Sequence, residues 1–475
     1  MKDNRALRMT VLGLVSGAML LTACGLKPEA KATLRQAAAN GNGTFIDPET
    51  GQTVDAAGNP VNPDGSVPGG TTGTGGTGGT GGTGGTGSGG SGGTGTGGTG
   101  GAGGPSAGPS AGPGAGNTTG IRDGKIYIAL HGPLTGAGVP QDSFKTGTKI
   151  YWTNHKIRGM EVVADAFDDE YSPGGAIKAC RRAAPDYFMI VGGAGTDQIQ
   201  ACAKDQVVQR GGVPYVSAGV TTNGLTGLNN YFAASMTYAQ QGPTVVKMAR
   251  EKGFLNAAHG WALVISDTPN FADARDSIQS ALKAANIKYT YIPVPKTGGN
   301  AQTVANQLRA GGYETVYFLG QPLFFTEIVT NTGCSPAPGY CPQYTGVGIS
   351  MGVNTVANLA CGGSKPLPFK GEFLSPYPGF NEAAKYAPGV TFKDDIEFTI
   401  YGVMQMLDQM FQSIPANLPI TRENFIAAVA SHNYTGGIFN DANFASGTHF
   451  GGTAAFYLKA NCDTRQWVTD GGPTR

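Results

Sequence analysis

The chain has 475 residues, and its 33 basic and 32 acidic residues leave a formal net charge of +1. No basic stripe interleaved with aromatic residues occurs, so nucleic acid is not an expected partner. Beyond the N-terminus, no stretch is apolar for long enough to predict a membrane-spanning helix.

The N-terminus has the features of a secretory signal. Lys2, Arg5 and Arg8 form a basic head, residues 11–21 are mostly apolar, and small residues lead up to Cys24. The sequence Leu-Thr-Ala-Cys resembles the bacterial lipobox, whose cysteine receives lipid and becomes the first mature residue. We expect a lipoprotein signal peptide over residues 1–23 and a lipid on Cys24 that holds the chain on the extracytoplasmic face of the cell membrane. An ordinary signal peptide with a chance cysteine and an uncleaved anchor are the alternatives.

Residues 24–120 predict a disordered tether rich in Gly and Thr. From Gly65 to Gly116 the chain is almost entirely Gly, Thr, Ser, Ala and Pro, with no large apolar residue after Val67. Such a segment can bury nothing, so it cannot offset the entropy lost on folding. As a Gly-rich coil it would span about 50–60 Å. It is either a flexible linker that holds the folded part away from the membrane or a low-complexity spacer whose length has no particular function.

From Ile121 onward, short apolar runs alternate with amphipathic segments of helix length. The runs predict strands at residues 125–130, 160–167, 187–191, 213–216, 261–266, 289–294 and 315–319. Apolar residues three and four apart predict helices at residues 176–183, 198–210, 242–252, 272–285 and 303–310. This alternation is typical of an α/β fold with parallel sheets, and its length predicts two lobes.

Three loops after predicted strands are rich in small and hydroxyl-bearing residues. The first contains His131 and Thr135, the second Thr196 and Asp197, and the third covers residues 217–222. Ligands of open parallel sheets bind at the carboxyl ends of strands, where backbone N–H groups favour a carboxylate or another polar head group. The same residues also suit tight turns and helix caps without a ligand. None of the loops carries a phosphate-binding fingerprint.

Acidic residues cluster after the second predicted strand, at Asp165, Asp168, Asp169 and Glu170. Paired carboxylates can hold a metal ion or act as acid and base. However, the sequence has no Ser-His-Asp elbow, His-Glu-x-x-His motif or catalytic-cysteine signature. We therefore expect no enzyme, no metal site and no cofactor, and His131 is either a ligand contact or a structural residue.

Six cysteines remain besides Cys24, and their even number in an exported chain predicts disulfides. They are Cys180, Cys202, Cys334, Cys341, Cys361 and Cys462. No Cys-x-x-Cys pair is present, which argues against a zinc ribbon or a thioredoxin-like site.

Several motifs in series resemble the type I periplasmic solute-binding family, in particular the branch that binds branched-chain amino acids and its amide-sensing relatives. They are GPLTG at 132–136, VVADAFDDEYSP at 162–173, IVGGAGTD at 190–197, GGVPYVSAGVT at 211–221, QQGPTVVKMAREKG at 240–253 and ALVISDTPNFADARDSIQSALKAAN at 262–286. The resemblance implies two α/β lobes joined by hinge strands, which close on a small solute. The implied partners are that solute and the permease and ATPase subunits of an ABC importer.

The same resemblance places one lobe in residues 121–237 with 377–450 and the other in residues 238–376 with 451–475. Crossings between lobes are expected near residues 236–239, 373–377 and 449–452, and the acidic cluster falls on a surface turn beside the cleft. A lipid-anchored import receptor is the favoured function. A ligand-sensing lipoprotein that signals to a membrane partner, and a surface or wall protein with a vestigial cleft, are the alternatives.

Position by position, the resemblance implies that Thr196, Asp197, Gly219 and Thr221 form a cradle for a ligand carboxylate. His131 and Thr135, in the loop after the first predicted strand, are also expected to contact the ligand. From the second lobe, Phe271 and Gln321 fall at or near tyrosine positions of the family. The aromatic residues near the expected cleft would suit an apolar ligand body unless they belong to the core; they are Tyr238, Phe271, Phe318, Phe324 and Phe325.

One departure from the family bears on the ligand. Gly348 falls close to the position where amino-acid binders carry an acidic residue against the ligand ammonium, and the nearby Glu327 lies inside a helix pattern. Since an unpaired buried ammonium is costly, an amide, a carboxylate, an aromatic or another apolar molecule is as well supported as an amino acid.

The resemblance also suggests the bridge Cys180–Cys202, because amino-acid binders of the family carry one in that region. Cys334–Cys341 would close a small loop, and Cys361–Cys462 would tie the C-terminal segment to the second lobe.

Overall fold

The computed structural model describes residues 44–46, 53–55, 116–136, 142–296, 298–334, 340–347, 353–363, 367–439 and 441–474. The expected signal peptide, Cys24 and most of the expected tether lie outside the described residues. Within the tether range, β1 (Thr44–Ile46) pairs antiparallel with β2 (Thr53–Asp55). Residues 116–120 belong to the folded part, since the Tyr127 N–H donates to the Gly120 carbonyl at 2.8 Å.

The first sheet is built from the apolar runs that follow residue 120. Its strands are β3 (Ile121–Arg122), β4 (Lys125–Gly132), β5 (Lys156–Ile157), β6 (Met160–Asp168), β7 (Met189–Gly192), β8 (Tyr215–Ser217) and β9 (Tyr231–Ala233). They lie in the order β5-β6-β4-β7-β8-β9, with parallel pairing from β6 to β9. Every residue of β7 and β8 is buried, as the continuous apolar runs predict for a covered parallel sheet.

Four helices alternate with these strands: α1 (Asp142–Trp152), α2 (Pro173–Ala183), α3 (Thr196–Ala203) and α4 (Gln206–Arg210). The single helix predicted at residues 198–210 is wrong, because the chain is extended at Asp205. The Asp205 carboxylate accepts a hydrogen bond from the Val207 N–H at 2.9 Å and so caps a new helix.

The second sheet repeats the alternation. Its parallel strands are β10 (Trp261–Ser266), β11 (Tyr289–Val294), β12 (Thr315–Leu319), β13 (Gln343–Gly346) and β14 (Lys370–Ser375). Its helices are α5 (Tyr238–Glu251), α6 (Ala272–Ala284), α7 (Ala301–Gly311), α8 (Pro322–Thr332) and α9 (Asn354–Ala360), and the short α10 (Ala383–Tyr386) follows β14.

The chain then returns to the first sheet and finishes in the second. Helix α11 (Asp395–Gln412) packs along α1, and α12 (Arg422–Ala430) and the pair β15 (Asn433–Tyr434) and β16 (Ala442–Asn443) follow. β17 (Ala455–Asn461) and β18 (Gln466–Thr474) complete the order β11-β10-β12-β13-β14-β17-β18. We call the first sheet with α1–α4, α11 and α12 lobe 1, and the second sheet with α5–α9 lobe 2.

The predicted α/β fold is confirmed, and the predicted strands pair in parallel within two sheets. Both sheets are mixed, because the pairs β3–β4, β5–β6, β14–β17 and β17–β18 are antiparallel. The six described cysteines are joined in the predicted pairs: Cys180–Cys202, Cys334–Cys341 and Cys361–Cys462, with Cα–Cα distances of 5.8, 4.3 and 5.3 Å. In the described part of the chain, every helix is too short or too polar to cross a membrane.

Candidate ligand-binding site

The loops at the carboxyl ends of both parallel sheets line a cleft between the lobes. Lobe 1 contributes the loops after β4, β6 and β7, and lobe 2 contributes those after β10, β11 and β12. Two adjoining pockets lie there and share Tyr171, Gly195 and Gln321. We call them the polar pocket and the apolar pocket after the residues that line them.

The polar pocket holds about 930 Å³, including space open to solvent. Five of the predicted ligand residues line it together: Thr196, Asp197, Tyr238, Phe271 and Gln321. Tyr238 begins α5, which starts with a capping box between Thr237 and Gln240, so the ring is held at a helix N-terminus. The structure therefore brings this part of the predicted set into one place, and its contact with a ligand stays a prediction.

Asp197 links the two lobes across the polar pocket. Its Oδ1 accepts a hydrogen bond from Asn270 Nδ2, and its Oδ2 forms an ion pair with Lys296 Nζ. The Lys296 side chain is 54% exposed and supplies the only cation of this lining among the described residues. A ligand anion in the pocket can therefore reach Lys296 in competition with Asp197.

Several polar groups of this pocket have no hydrogen-bond partner within the described part of the chain. The Gln198 side chain, in a residue 5% exposed, and the Ser266 hydroxyl, in a residue 3% exposed, both line the pocket without a protein partner. The buried Thr268 Oγ1 is likewise unpaired. Since buried polar groups are nearly always satisfied, these atoms are suited to a polar ligand group or to water.

The apolar pocket holds about 850 Å³, again including space open to solvent, and has a different chemistry. Its walls come from α1 and α11 of lobe 1 and from α8 and α9 of lobe 2, and none of its described lining residues is charged. The main apolar contributors are Phe144, Leu323, Val356, Ile396 and Ile400. Such a surface favours an aliphatic or aromatic body and disfavours charge.

Asp395, the first residue of α11, lies behind this pocket and bridges the lobes. Its Oδ2 accepts a hydrogen bond from the Asn354 N–H of lobe 2 at 2.7 Å. Burial raises the pKa of Asp395 to about 6.

The acidic cluster shapes the loop after β6 and does not face the ligand site. Asp168 accepts hydrogen bonds from the Thr135 hydroxyl at 2.6 Å and from the Glu170 N–H at 2.9 Å. Burial acts to raise the pKa of Asp168, but these hydrogen bonds lower it overall. Asp169 Oδ1 accepts from the Tyr171 N–H at 3.0 Å, which holds Tyr171 in a left-handed conformation with φ 49°. Tyr171 thereby comes to lie between the two pockets, where burial raises its pKa to about 12.

His131 and Thr135 do not line either pocket, so their prediction as ligand contacts is not supported by their positions. His131 is 1% exposed, with Nδ1 2.9 Å from Asp169 Oδ2 and Nε2 2.6 Å from the Tyr215 hydroxyl. Both ring nitrogens are occupied inside the protein, and the exposed Thr135 is bound to Asp168.

A carboxylate cradle was expected at Gly219 and Thr221, and a side chain of the protein, Asp273, lies at Thr221. Asp273 of α6 reaches from lobe 2, and its Oδ2 accepts hydrogen bonds from the Thr221 hydroxyl at 3.1 Å and the Thr222 N–H at 2.7 Å. Gly219 is buried, and its N–H donates to Ser235 Oγ at 2.8 Å. In this structure the Thr221 hydroxyl and the Thr222 N–H therefore bind a carboxylate of the protein. The contact of Gly219 and Thr221 with a ligand stays a prediction.

The remaining predicted residues are placed as follows. Phe318, Phe324 and Phe325 are 1%, 3% and 0% exposed and pack in the core of lobe 2, and Gly348 lies outside the described residues. Among the described residues, the one grouping of metal-ligand types is His131 with Cys180 and Cys202. Both sulfurs are in a disulfide and the histidine nitrogens are hydrogen-bonded, so these groups are not available as ligands.

Sequence reasoning missed Tyr171, Gln198, Lys296 and all of α11. Gln198 follows Thr196 and Asp197 in the first turn of α3, so its position at the helix start was a usable signal. Lys296 lies in a loop after β11, at the carboxyl end of a strand, where a basic residue can reach a ligand.

No curated protein is similar enough in sequence to count as a relative. Among solved structures, a fatty acid ABC transporter substrate-binding protein from Thermomonospora curvata superposes with a TM-score of 0.63 at 16% identity, over 76% of this chain and 95% of that one. A solute-binding protein from R. palustris in complex with 4-hydroxybenzoate gives 0.59 at 16%, over 74% and 97%. A leucine-binding protein from Thermotoga maritima gives 0.58 at 13%, over 73% and 98%. At these identities the likeness shows a shared fold.

The sequence model of the periplasmic binding protein family matches residues 101–463, which contain the cleft and nearly all of both sheets. Members of this family are solute-binding proteins and not enzymes, in agreement with the expectation from the sequence. The chain therefore belongs to the periplasmic binding protein family.

Proposed function

We propose that this chain is the receptor of an ABC importer for amphipathic organic acids, small carboxylates with an apolar body. The observation that supports this ligand class is the junction of two unlike pockets. One contains Lys296 and unpaired hydrogen-bonding groups, and the described lining of the other carries no charge.

The carboxylate of such a ligand would pair with Lys296 in the polar pocket. Asp197 would keep its hydrogen bond from Asn270 while it shares or releases the lysine. The unpaired Gln198 amide and Ser266 hydroxyl supply further donors at the same place. Hydrogen bonds to charged groups are worth about 1.5–3 kcal/mol each, enough to select a carboxylate over a neutral analogue.

The apolar body would occupy the apolar pocket, against Leu323 of lobe 2 and Ile400 of lobe 1. Two structurally similar proteins are described with ligands of this kind, one as a fatty acid transporter component and one in complex with 4-hydroxybenzoate. Both descriptions support an acid with an apolar body.

α-Amino acids fit this cleft less well. Among the described lining residues of the polar pocket, Asp197 is the one carboxylate, and it is already bonded to Asn270 and Lys296. A ligand ammonium would have to displace the lysine or stay unpaired, and an unpaired charge in a closed cleft is costly.

Binding would be coupled to movement of the lobes. The contacts of Asp197 with Asn270 and Lys296, and of Asp273 with Thr221, join lobe 1 to lobe 2 beside the pockets. We propose that the connections after β9, after β14 and before β17 act as hinges, as in other two-lobe binding proteins.

The test is calorimetric titration of the full-length, oxidised chain with three compounds of one carbon skeleton: 4-methylpentanoate, its amide and leucine. We expect the carboxylate to bind at least about tenfold more tightly than the other two. Lys296→Met should lower its affinity about tenfold or more, whereas Lys283→Met, which changes an exposed lysine late in α6, should leave it unchanged. Tightest binding of leucine would contradict the proposed ligand class, and no binding of any of these acids, with 4-hydroxybenzoate included, would contradict the function.

Membrane attachment and import are further parts of this proposal. Cys24→Ser should move the chain from the membrane fraction to the soluble extracytoplasmic fraction, and mass spectrometry should detect lipid on the N-terminal peptide of the unchanged chain only. Cells without the chain should lose uptake of the labelled acid and regain it with the unchanged gene but not with Lys296→Met. Uptake that is independent of the chain would favour a sensing role.

A further inference from the structure

A third, narrow cavity lies inside lobe 1 next to the apolar pocket; it holds about 450 Å³ when the gaps between its wall atoms and the space open to solvent are counted. It is bounded by the carboxyl ends of β4, β7 and β8 on one side and by α11 on the other. Gly193, Thr399 and Ile400 line both this cavity and the apolar pocket. We call it the inner cavity, and these three residues form its boundary towards the cleft.

The lining of the inner cavity offers no free polar side chain among the described residues. Its two hydroxyl-bearing residues are already bonded: Ser217 Oγ donates to the Ala218 carbonyl at 2.9 Å, and Thr399 Oγ1 donates to the Asp395 carbonyl at 2.8 Å. The rest of the wall is mainly aliphatic and aromatic, with Val216 and Met406 among its side chains. A cavity of this kind stays free of ordered water and gains free energy when an apolar group fills it.

We propose that the inner cavity receives the end of an unbranched aliphatic chain, so that the ligand is a fatty-acid-like carboxylate and not a compact branched or aromatic acid. The inference rests on the proposed function, because a head group at Lys296 directs the chain through the apolar pocket towards Ile400. A branched or ring-shaped body ends in the apolar pocket and leaves the inner cavity empty. An unbranched chain passes the boundary at Thr399 and Ile400 and buries its last methylenes.

The experiment is a calorimetric series of hexanoate, octanoate, decanoate and dodecanoate on the full-length, oxidised chain, below the micellar concentration of each acid. Each buried methylene should raise the affinity about three- to fourfold until the inner cavity is full. 4-Hydroxybenzoate and 4-methylpentanoate should bind about as weakly as hexanoate.

The variant that isolates the inner cavity is Val403→Phe. Val403 lines the inner cavity from α11, is only partly buried and does not line the apolar pocket, so a larger ring can extend into the empty space. The variant should bind hexanoate within about twofold of the unchanged chain while the gain from longer chains is lost. Val207→Phe, the same change at a position 44% exposed on α4, is the matched control and should leave the whole series unchanged.

Val403→Ala covers the case in which the phenylalanine variant does not fold. It enlarges the inner cavity, and the chain length of tightest binding should increase. An affinity that stops rising after hexanoate in the unchanged chain, or a Val403→Phe effect equal for hexanoate and dodecanoate, would overturn this inference and leave the proposed function intact. No binding of any carboxylate would overturn both.

Discussion

At the level of single residues, the loop after β6 shows how acidic side chains can shape a site without contacting the ligand. Asp169 binds the Tyr171 N–H and His131, and so fixes the loop that carries Tyr171 into the cleft. The acidic cluster was visible in the sequence, but the position of Tyr171 was not. It depends on left-handed backbone at two successive non-glycine residues, Glu170 and Tyr171, which local propensity does not predict.

Some predicted ligand residues line the cleft because local rules determine their position. Thr196 and Asp197 begin a helix directly after a strand, so they necessarily lie at the carboxyl edge of the sheet. Thr221 follows the same rule, but its partner Asp273 comes from the other lobe. The sequence of lobe 1 alone contains no sign of that contact.

Asp395 gives a prediction at the same level. Its pKa is raised by burial from the ordinary value of 3.8 to about 6, so folding favours the protonated form. Its contribution to stability is fully present below about pH 4 and is lost as the pH rises through 6. In Asp395→Asn, the free energy of unfolding relative to the unchanged chain should therefore rise by about 2.4 kcal/mol between pH 4 and pH 7. Denaturant unfolding at the two pH values measures this, and an equal difference at both would contradict the assignment.

At the level of helices and strands, the sequence was most informative where an element is apolar along its whole length. β10, β11 and β12 have the predicted bounds. β10 and β12 are buried along their whole length, which produces the uninterrupted apolar run typical of a covered parallel strand. Helix α11 was not predicted, although 13 of its 18 residues are buried. A helix buried on most of its sides lacks the clear amphipathic stripe on which the helix predictions were based.

Arg422, the first residue of helix α12, is 3% exposed and binds lobe 1 with its side chain. Its guanidinium donates to the carbonyls of Phe188 at 3.0 Å and Gly211 at 2.8 Å, and to those of Ala184 and Tyr187 at 2.9 and 2.6 Å. Burial lowers the pKa of Arg422 to about 10.

Arg422→Met should therefore lower the free energy of unfolding by about 3 kcal/mol, because it leaves these carbonyls without donors. Arg422→Lys should be nearly as harmful, since one ammonium cannot reproduce the planar set of donors. Urea unfolding measures both, with Arg210→Met at an exposed position as the control. A lysine variant as stable as the unchanged chain would show that charge alone holds the helix.

At the level of the whole molecule, the chain passes between the lobes three times, so the cleft depends on contacts between distant segments. The sequence identified the family and the sheet edges that line the cleft. It could not show that one pocket is polar and the next apolar, because that contrast is produced by α11, α8 and α9 meeting across the lobes.

The disulfides give a prediction at this level. Cys361–Cys462 joins residues 101 apart, whereas Cys334–Cys341 joins residues 7 apart. The entropy that a cross-link removes from the unfolded chain grows with the logarithm of loop length. The double variant Cys361→Ser/Cys462→Ser should therefore lose about 2 kcal/mol more stability than Cys334→Ser/Cys341→Ser. Equal losses in denaturant unfolding would show that the native-state packing around each bridge outweighs this entropy.

The central claim is that the cleft binds a carboxylate by its head in the polar pocket and by its body in the apolar pocket. The most direct test is a crystal structure of the chain with the tightest-binding acid of the series. We expect the carboxylate within hydrogen-bond distance of Lys296 Nζ and the apolar body between Leu323 and Ile400. A carboxylate placed away from Lys296, or a ligand bound outside the cleft, would contradict the account.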